Sequence, residues 1–338
     1  MPSILITGGH SGIGLAAARE LAARHVDLVL GGRDAARMRP VADELSARHG
    51  VSVTTLTVDV ASLASVRAAA ARWRTMRASG AVPELDAIVC NAGGRFDGDV
   101  SYSPDGYETT FATNCLGHFL LVELLFPVLS ERGRVVYTAS GTHDPDSTDG
   151  RLVGTAVEPD ALALATNGKG GGKALSAGRR YSTSKLCTVM YAYELDRRLR
   201  AARSEVASIA FDPGSVPETG FLRDLPGPVR WASRTAAMKW VSRRMGVVTS
   251  DVGFSGASLA ALAAGPDYAG VSGTYFQAHD GTLSAVPSAR LSYDARRAAR
   301  LWDDSKRLVA LTDDEEPPQL RSPRLRSRQL RSAATDDA

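Results

Sequence analysis

Apolar residues gather in short blocks along this chain. Ile4–Ile6, Val26–Leu30, Ser52–Val58, Ala87–Cys90, Arg134–Ala139 and Val206–Phe211 are brief apolar-rich runs, most of them ending in Gly, Asp or Asn. Runs of that length without a regular polar face suit parallel strands buried on both sides. Between them, apolar residues recur at helical spacing. Such stretches cover Leu15–Ala22, Ala35–His49, Ser62–Ser79 and Asp105–Leu129, and a further helix opens at Tyr181 and runs to about Arg200. Asp251–Ala264 reads as a helix with small-residue packing, Gly273–Gln277 as a seventh strand and Tyr293–Leu311 as a final amphipathic helix. The alternation predicts an α/β fold: a single Rossmann-type doubly wound domain, its central parallel sheet of about seven strands flanked by helices.

The alternation breaks in three places. Residues 141–180 are rich in Gly and Asp and lack sustained periodicity. Within them Gly168-Lys169-Gly170-Gly171-Gly172-Lys173 invites a phosphate-loop reading, but Asn167 and Ala174 stand where Gly and Ser/Thr are needed and no strand precedes. A flexible surface insert over the mouth of a site is the better expectation. Residues 217–250 set Trp231, Met238, Trp240 and Met245 among Arg230, Arg234, Lys239, Arg243 and Arg244. That mixture suits a lid over an apolar substrate, or an amphipathic helix on a membrane or acidic partner. Residues 312–338 begin acidic and end as an Arg/Ser-rich tail, which predicts disorder beyond a core domain of 1–311.

Composition excludes more than it proposes. The chain has 338 residues, 44% of them hydrophobic, and a formal net charge of +3. Of its 40 basic residues, 35 are arginine, which reads as a high-GC bacterial genome and not as a nucleic-acid surface. Cys90, Cys115 and Cys187 lie in apolar contexts without metal-ligand spacing, so buried reduced thiols and no metal site are expected. No leader precedes the first strand, and no apolar run approaches the roughly 18 residues of a spanning helix. A cytoplasmic protein without an integral membrane segment follows as the expectation, with homo-oligomerisation left open.

The first candidate chemistry is Thr7-Gly8-Gly9-His10-Ser11-Gly12-Ile13-Gly14, between a strand and a helix. Glycines allow a tight turn and a close backbone approach. The helix start then offers N–H groups and a favourable dipole to an anion such as a pyrophosphate. The acidic residue that grips a ribose hydroxyl in NAD binders falls about 20 residues beyond the turn. Here Arg33 directly follows the second strand, which suits a 2′-phosphate and hence NADP(H); a solvated arginine paired with Asp34 is the competing reading.

The second candidate is Tyr181-Ser182-Thr183-Ser184-Lys185, with Ser140 at the end of the fifth strand. Residues i and i+4 share a helix face. A tyrosine, with an ordinary pKa of about 10, needs a cation nearby to act as acid/base near neutral pH, and Lys185 is one turn away.

Taken in order, TGxxxGIG, Asn91-Ala92-Gly93, Asn114-Cys115-Leu116-Gly117-His118-Phe119, Ser140, YxxxK and Pro213-Gly214 resemble the short-chain dehydrogenase/reductase family over roughly residues 3–311. The Gly32-Arg33-Asp34 turn, the NCLGHFLL segment and the insert before Tyr181 resemble its retinol-dehydrogenase and light-dependent protochlorophyllide-reductase branch.

The resemblance implies a catalytic set of Asn114, Ser140, Tyr181 and Lys185. It implies cofactor contacts at Gly8, His10, Ser11, Gly12, Ile13, Gly14, Arg33, Asp59, Val60, Asn91, Ala92, Gly93, Tyr181, Lys185, Pro213, Gly214, Val216 and Thr219. Asp59 would meet the adenine, and a local capping role is its plain alternative. Asn114 would hold a water connecting Lys185 to solvent, the alternative being a buried polar residue that satisfies backbone groups. The function implied is hydride transfer between NADP(H) and a carbonyl or alcohol of a fairly large apolar small molecule. The photoreductase carries an active-site cysteine between serine and tyrosine, and residues 141–180 have none. Reduction of a ring double bond is the alternative enzyme, and a non-catalytic NADP-sensing protein the alternative from another class.

Overall fold

The structure, a computed structural model, describes residues 2–216 and 247–321. Seven parallel strands and one antiparallel edge strand form a single sheet in the order β3-β2-β1-β4-β5-β6-β7-β8. These are β1 (Ser3–Thr7), β2 (Asp27–Gly32), β3 (Val53–Thr57), β4 (Leu85–Cys90), β5 (Leu129–Thr138), β6 (Ala207–Asp212), β7 (Thr274–His279) and β8 (Thr282–Ala285). The short β8, half-exposed and turned back at Asp280-Gly281, carries no apolar run and was not expected. Strand order reverses between β1 and β4, and a doubly wound sheet opens its ligand crevice at that point, beyond the carboxyl ends of the strands.

Helices cover both faces. Helices α1 (Gly12–Ala23), α2 (Ala35–His49) and the Val252–Ala264 helix pack on one, burying Ile4, Ile6, Leu28 and Leu30 from the sheet. On the other lie α3 (Leu63–Ala78), the helical segment Thr109–Val128, the Ala177–Ala201 helix and the final Ala295–Leu308 helix. There Trp302 meets Phe119 edge-on at 4.9 Å. Side chains open the helices as their sequences suggest: Asp34 accepts from the Ala36 and Arg37 amides, and Ser62 from the Ser65 amide.

Two expectations need correction here. Thr109–Val128 is long and apolar enough to cross a membrane, contrary to the reading that no such run exists. Its window is 89% buried, and it serves as a core helix between the sheet and its neighbours. Nor is it one regular helix from Asp105. It starts at Thr109, capped by Glu108, and widens into a π turn over Ala112–Leu116.

The second correction concerns the start of the supposed tail. Arg198 donates to the Leu320 carbonyl at 2.8 Å, Lys306 pairs with Glu316 at 2.6 Å, and Leu320 is buried. Composition hid this because a few buried side chains, ion pairs and hydrogen bonds anchor the stretch up to Arg321. Residues 322–338 lie outside the described residues, as do Thr219 and residues 217–246 of the lid expected over 217–250. Inside the 141–180 insert, Thr148–Val153 and Ala161–Ala165 form short helices. Lys169 donates to the Gly106 carbonyl at 2.5 Å, which fixes the glycine loop to a neighbouring turn.

Candidate active site

The glycine turn is built on space. Gly8 has φ +71 and Gly12 φ +53, in the left-handed region. A Cβ on Gly14 would lie 2.5 Å from the Gly8 carbonyl oxygen and 2.6 Å from Asn91 Nδ2, so only glycine allows α1 to start this close to β1 and β4. Ser11 occupies the N-cap position of α1 without a side-chain cap bond, and Ile13 leans on the core. The amides of the first turn are therefore left uncapped by a side chain and can meet an anion that enters the crevice. This cradle, which a side chain would fill, fits a dinucleotide pyrophosphate.

His10 sits beside Gly32, and burial together with the Arg37 charge lowers its pKa. Arg33 is exposed where β2 ends. The competing pair does not form: Asp34 spends its carboxylate on capping α2, and among the described residues Arg33 has no ion pair. Asp59 accepts from the Ala61 amide, closing a tight turn, while Ser62 does the capping of α3. Val60 presents its carbonyl to Gly117, where any Cβ would overlap it; this explains the glycine of the N-x-x-G segment.

Thr7 ties the switch point together, a role the sequence reading missed. Its hydroxyl oxygen accepts from the Asn91 and Ala92 amides, each at 2.9 Å, and lies 2.9 Å from His118 Nε2. Asn91 Nδ2 returns a bond to the Thr7 carbonyl at 2.9 Å. Gly93 follows with φ +148, with no space for a side chain beside Asn114 Oδ1.

Asn114 lies in the π turn, a feature that often marks functional sites. Its carboxamide is fully engaged: Oδ1 accepts from the Gly94 amide at 3.0 Å, while Nδ2 donates to the Gly94 carbonyl at 3.0 Å and Ser184 Oγ at 2.9 Å. The side chain thus holds the loop after β4 against the Tyr181 helix. Its backbone carbonyl faces His118 Nδ1 at 3.5 Å.

The Ala177–Ala201 helix begins four residues before Tyr181, capped by Ser176. Buried Glu108 and Arg180, paired at 3.2 Å, fasten it to the core helix. Tyr181 and Lys185 share a face, with Nζ 5.6 Å from the phenol ring centre. Lys185 donates to the Thr138 carbonyl at 2.8 Å. Burial pulls the Lys185 pKa down to about 8, against the opposing pull of the Asp212 carboxylate. Burial also dominates at Tyr181 and raises its phenol pKa; a hydrogen bond with Ser140 and the Arg95 charge oppose that rise. Burial, and not the nearby Lys185, sets the direction of the shift. The phenol is held as a proton donor, not as a phenolate.

Ser140 stands beyond β5. The Thr142 hydroxyl donates to its Oγ at 3.2 Å and the Thr142 amide at 3.4 Å. Ser140 also shares a hydrogen bond with the Tyr181 phenol. Asp212, fully buried at the end of β6, accepts from the Gly214 amide at 2.9 Å, Gln277 Nε2 at 2.9 Å and Tyr275 at 3.1 Å. The Pro213 carbonyl accepts from Ser255 at 2.7 Å, and Val216 is buried. The strand-end Asp before Pro213-Gly214 was visible in the sequence, but nothing local announced its partners 63 and 65 residues away.

Ser140, Tyr181 and Lys185 thus meet beside Asn114, at the same end of the sheet as the glycine cradle. Comparison with known proteins agrees with this arrangement. Residues 2–147 match the short chain dehydrogenase profile. A protein of Streptomyces sp. strain C5, provisionally named daunorubicin C-13 ketoreductase DnrU, is 32% identical over 92% of this chain and 93% of its own. Mouse polyprenol dehydrogenase is 33% identical over 90% of this chain and 83% of its own length. Among solved structures, a Mycobacterium paratuberculosis protein superposes with TM-score 0.64 at 25% identity, covering 92% of this chain and 94% of its own. A Burkholderia cenocepacia short chain dehydrogenase in complex with NADP has the same fold, with TM-score 0.59 at 23% identity over 82% of this chain and 96% of its own. The chain is an oxidoreductase of the short-chain dehydrogenase/reductase family, on its retinol-dehydrogenase-like branch.

Proposed function

We propose that the protein is an NADPH-dependent ketoreductase, running as an alcohol dehydrogenase in reverse, and that its substrate is a fairly large apolar carbonyl compound. The observation that carries this reading is the Tyr181 phenol, buried, kept protonated and hydrogen-bonded with Ser140 beside Lys185. A held phenol is suited to giving a proton to an oxygen that gains charge. Bound NADPH would supply the hydride. Tyr181 gives its proton to the carbonyl oxygen. Ser140 donates a hydrogen bond to that same oxygen, with its own hydroxyl oriented by Thr142. Lys185 holds a positive charge beneath the phenol and would hold the nicotinamide ribose. Gly8, Ser11, Gly12 and Gly14 would receive the pyrophosphate, Arg33 and His10 the 2′-phosphate side, Asp59 and Val60 the adenine side, and Asn91, Ala92, Gly93, Gly214 and Val216 the nicotinamide side.

The preference for a large apolar substrate is supported by the names of two relatives, one a C-13 ketoreductase and one a polyprenol dehydrogenase. Several solved relatives hold NADP or NADPH, which supports the phosphorylated cofactor. The test is NADPH consumption in darkness across a panel of polycyclic and long-chain ketones. Turnover with some of them, independent of light, is expected. NADPH binding without turnover on any carbonyl would show a sensor, and turnover only under illumination a photoreductase; either result overturns the reading.

A further inference from the structure

His143 lies three residues beyond Ser140, is 2% exposed, and has no part in the proton transfer just described. Its ring is fixed by two partners whose roles are unambiguous. Nδ1 is 2.8 Å from the Ser140 carbonyl oxygen, which can only accept, so Nδ1 carries the hydrogen. The Ala289 amide donates to Nε2 at 3.0 Å, so Nε2 carries none. The pair selects one neutral tautomer. A proton added at Nε2 would set two donors against each other.

The surroundings close the remaining freedom. The Tyr275 ring packs on the imidazole at 4.9 Å, and the Tyr275 hydroxyl is itself held by Asp212 at 3.1 Å. The Ala289 segment is fixed as well: Ser288 Oγ lies 2.8 Å from the Tyr193 hydroxyl and 2.7 Å from Ser292 Oγ. Tyr193 belongs to the same helix as Tyr181. His143 therefore spans from the serine that meets the carbonyl oxygen to a segment anchored on the helix that carries the proton donor.

We propose that His143 is a positioning residue for hydride transfer: its Nδ1–H holds the Ser140 carbonyl, its Nε2 holds the Ala289 amide, and the Ser140 hydroxyl is thereby aimed at the oxygen that Tyr181 protonates. A hydroxyl displaced by an ångström loses most of its worth to a transition state. Burial lowers the imidazole pKa, against the Asp212 and Asp144 carboxylates that face it, which agrees with a neutral ring. This inference rests on the ketoreductase reading.

Three variants separate its parts. His143→Asn keeps a donor near the Nδ1 position; His143→Gln keeps an acceptor near the Nε2 position; His143→Ala keeps neither. With NADPH and ketone saturating, kcat is expected to fall by about tenfold or more in the Gln and Ala variants and to return most of the way in Asn. The Kd for NADPH stays at the native value in all three. Equal losses in Asn and Gln, losses that follow thermal stability alone, or native kcat in a folded Ala variant would each overturn the proposal. A crystal structure of the Gln variant gives a readout without turnover: Ser140 moved away from Tyr181 supports the role, and Ser140 unmoved overturns it. A native protein that turns over no ketone would instead count against the ketoreductase reading.

Discussion

The two halves of the sheet are built by opposite means. On the β1–β3 side the crevice is made of missing side chains: Gly14 exists because a Cβ would strike the Gly8 carbonyl, and the amides of α1 need nothing else to face an anion. On the β5–β7 side it is made of polar side chains fixed by hydrogen bonds: half-buried Ser140 and buried His143, Tyr181, Lys185, Asp212 and Tyr275. The first half works by geometry that the backbone carries. The second works by protons placed on buried groups, and burial raises the phenol of Tyr181 while lowering the ammonium of Lys185. Damage to the first half should cost binding, and damage to the second should cost turnover.

The strongest way to break that division is Tyr181→Phe. It keeps the ring in its packing and removes only the hydroxyl that carries the proton. A fall in kcat of about 10²–10⁴-fold is expected, the usual contribution of a positioned general acid. NADPH affinity, measured by fluorescence titration, should stay native. The alkaline side of the native pH profile adds a sharper mark. Lys185 gives up its proton near pH 8, before the raised phenol does, so turnover should decline as pH rises through about 8 and not through the Tyr181 pKa. Near-native turnover in a folded Phe variant would return Tyr181 to the rank of an ordinary core tyrosine.

The matching test on the other side is Arg33→Ala. Removing a charge-assisted contact to phosphate costs about 1.5–3 kcal/mol, or roughly 10- to 150-fold in affinity. NADPH should lose that much, NADH nearly nothing, and kcat at saturating cofactor should hold. Equal native affinities for NADPH and NADH would remove the 2′-phosphate assignment altogether.

The same contrast explains what could be read from the chain. Many constraints on the glycine half are local, so TGxxxGIG, the strand before it and the Arg33 turn appear as contiguous patterns. Parallel strands buried on both faces left apolar runs, and their alternation with helices announced a doubly wound sheet. The supports of the catalytic half come from far along the chain. Asp212 meets Tyr275 across 63 residues, His143 meets Ala289 across 146, and no periodicity links such pairs. The π turn at Asn114 was illegible because the segment's own pattern is plain helix. Residues 312–321 looked like tail because their contacts are few and distant, made by Arg67, Arg198 and Lys306.

The smallest effect on chemistry, and the finest test of buried protons as the principle of the second half, is Glu123→Gln. Glu123 is fully buried on the core helix that carries Asn114. Burial pushes its carboxyl up to about 8; the Glu316 charge adds to the rise, while Arg198, Lys306 and Trp302 oppose it. In the unfolded chain it titrates near the ordinary 4.5. From about pH 4.5 to 8 the folded state therefore binds a proton that the unfolded state does not. By linkage, this group's contribution to stability is complete below pH 4.5 and is lost progressively as pH rises to about 8. His118 has the opposite sign: burial lowers its pKa to about 4, so its contribution is lost as pH falls below about 6.5. Only the difference between native and variant isolates Glu123. Gln is neutral in both states, so urea unfolding of Glu123→Gln should lack the native decline between pH 5 and 8, with the two curves diverging upward in pH and turnover unchanged. Parallel curves would mean that Glu123 does not hold its proton in the folded protein.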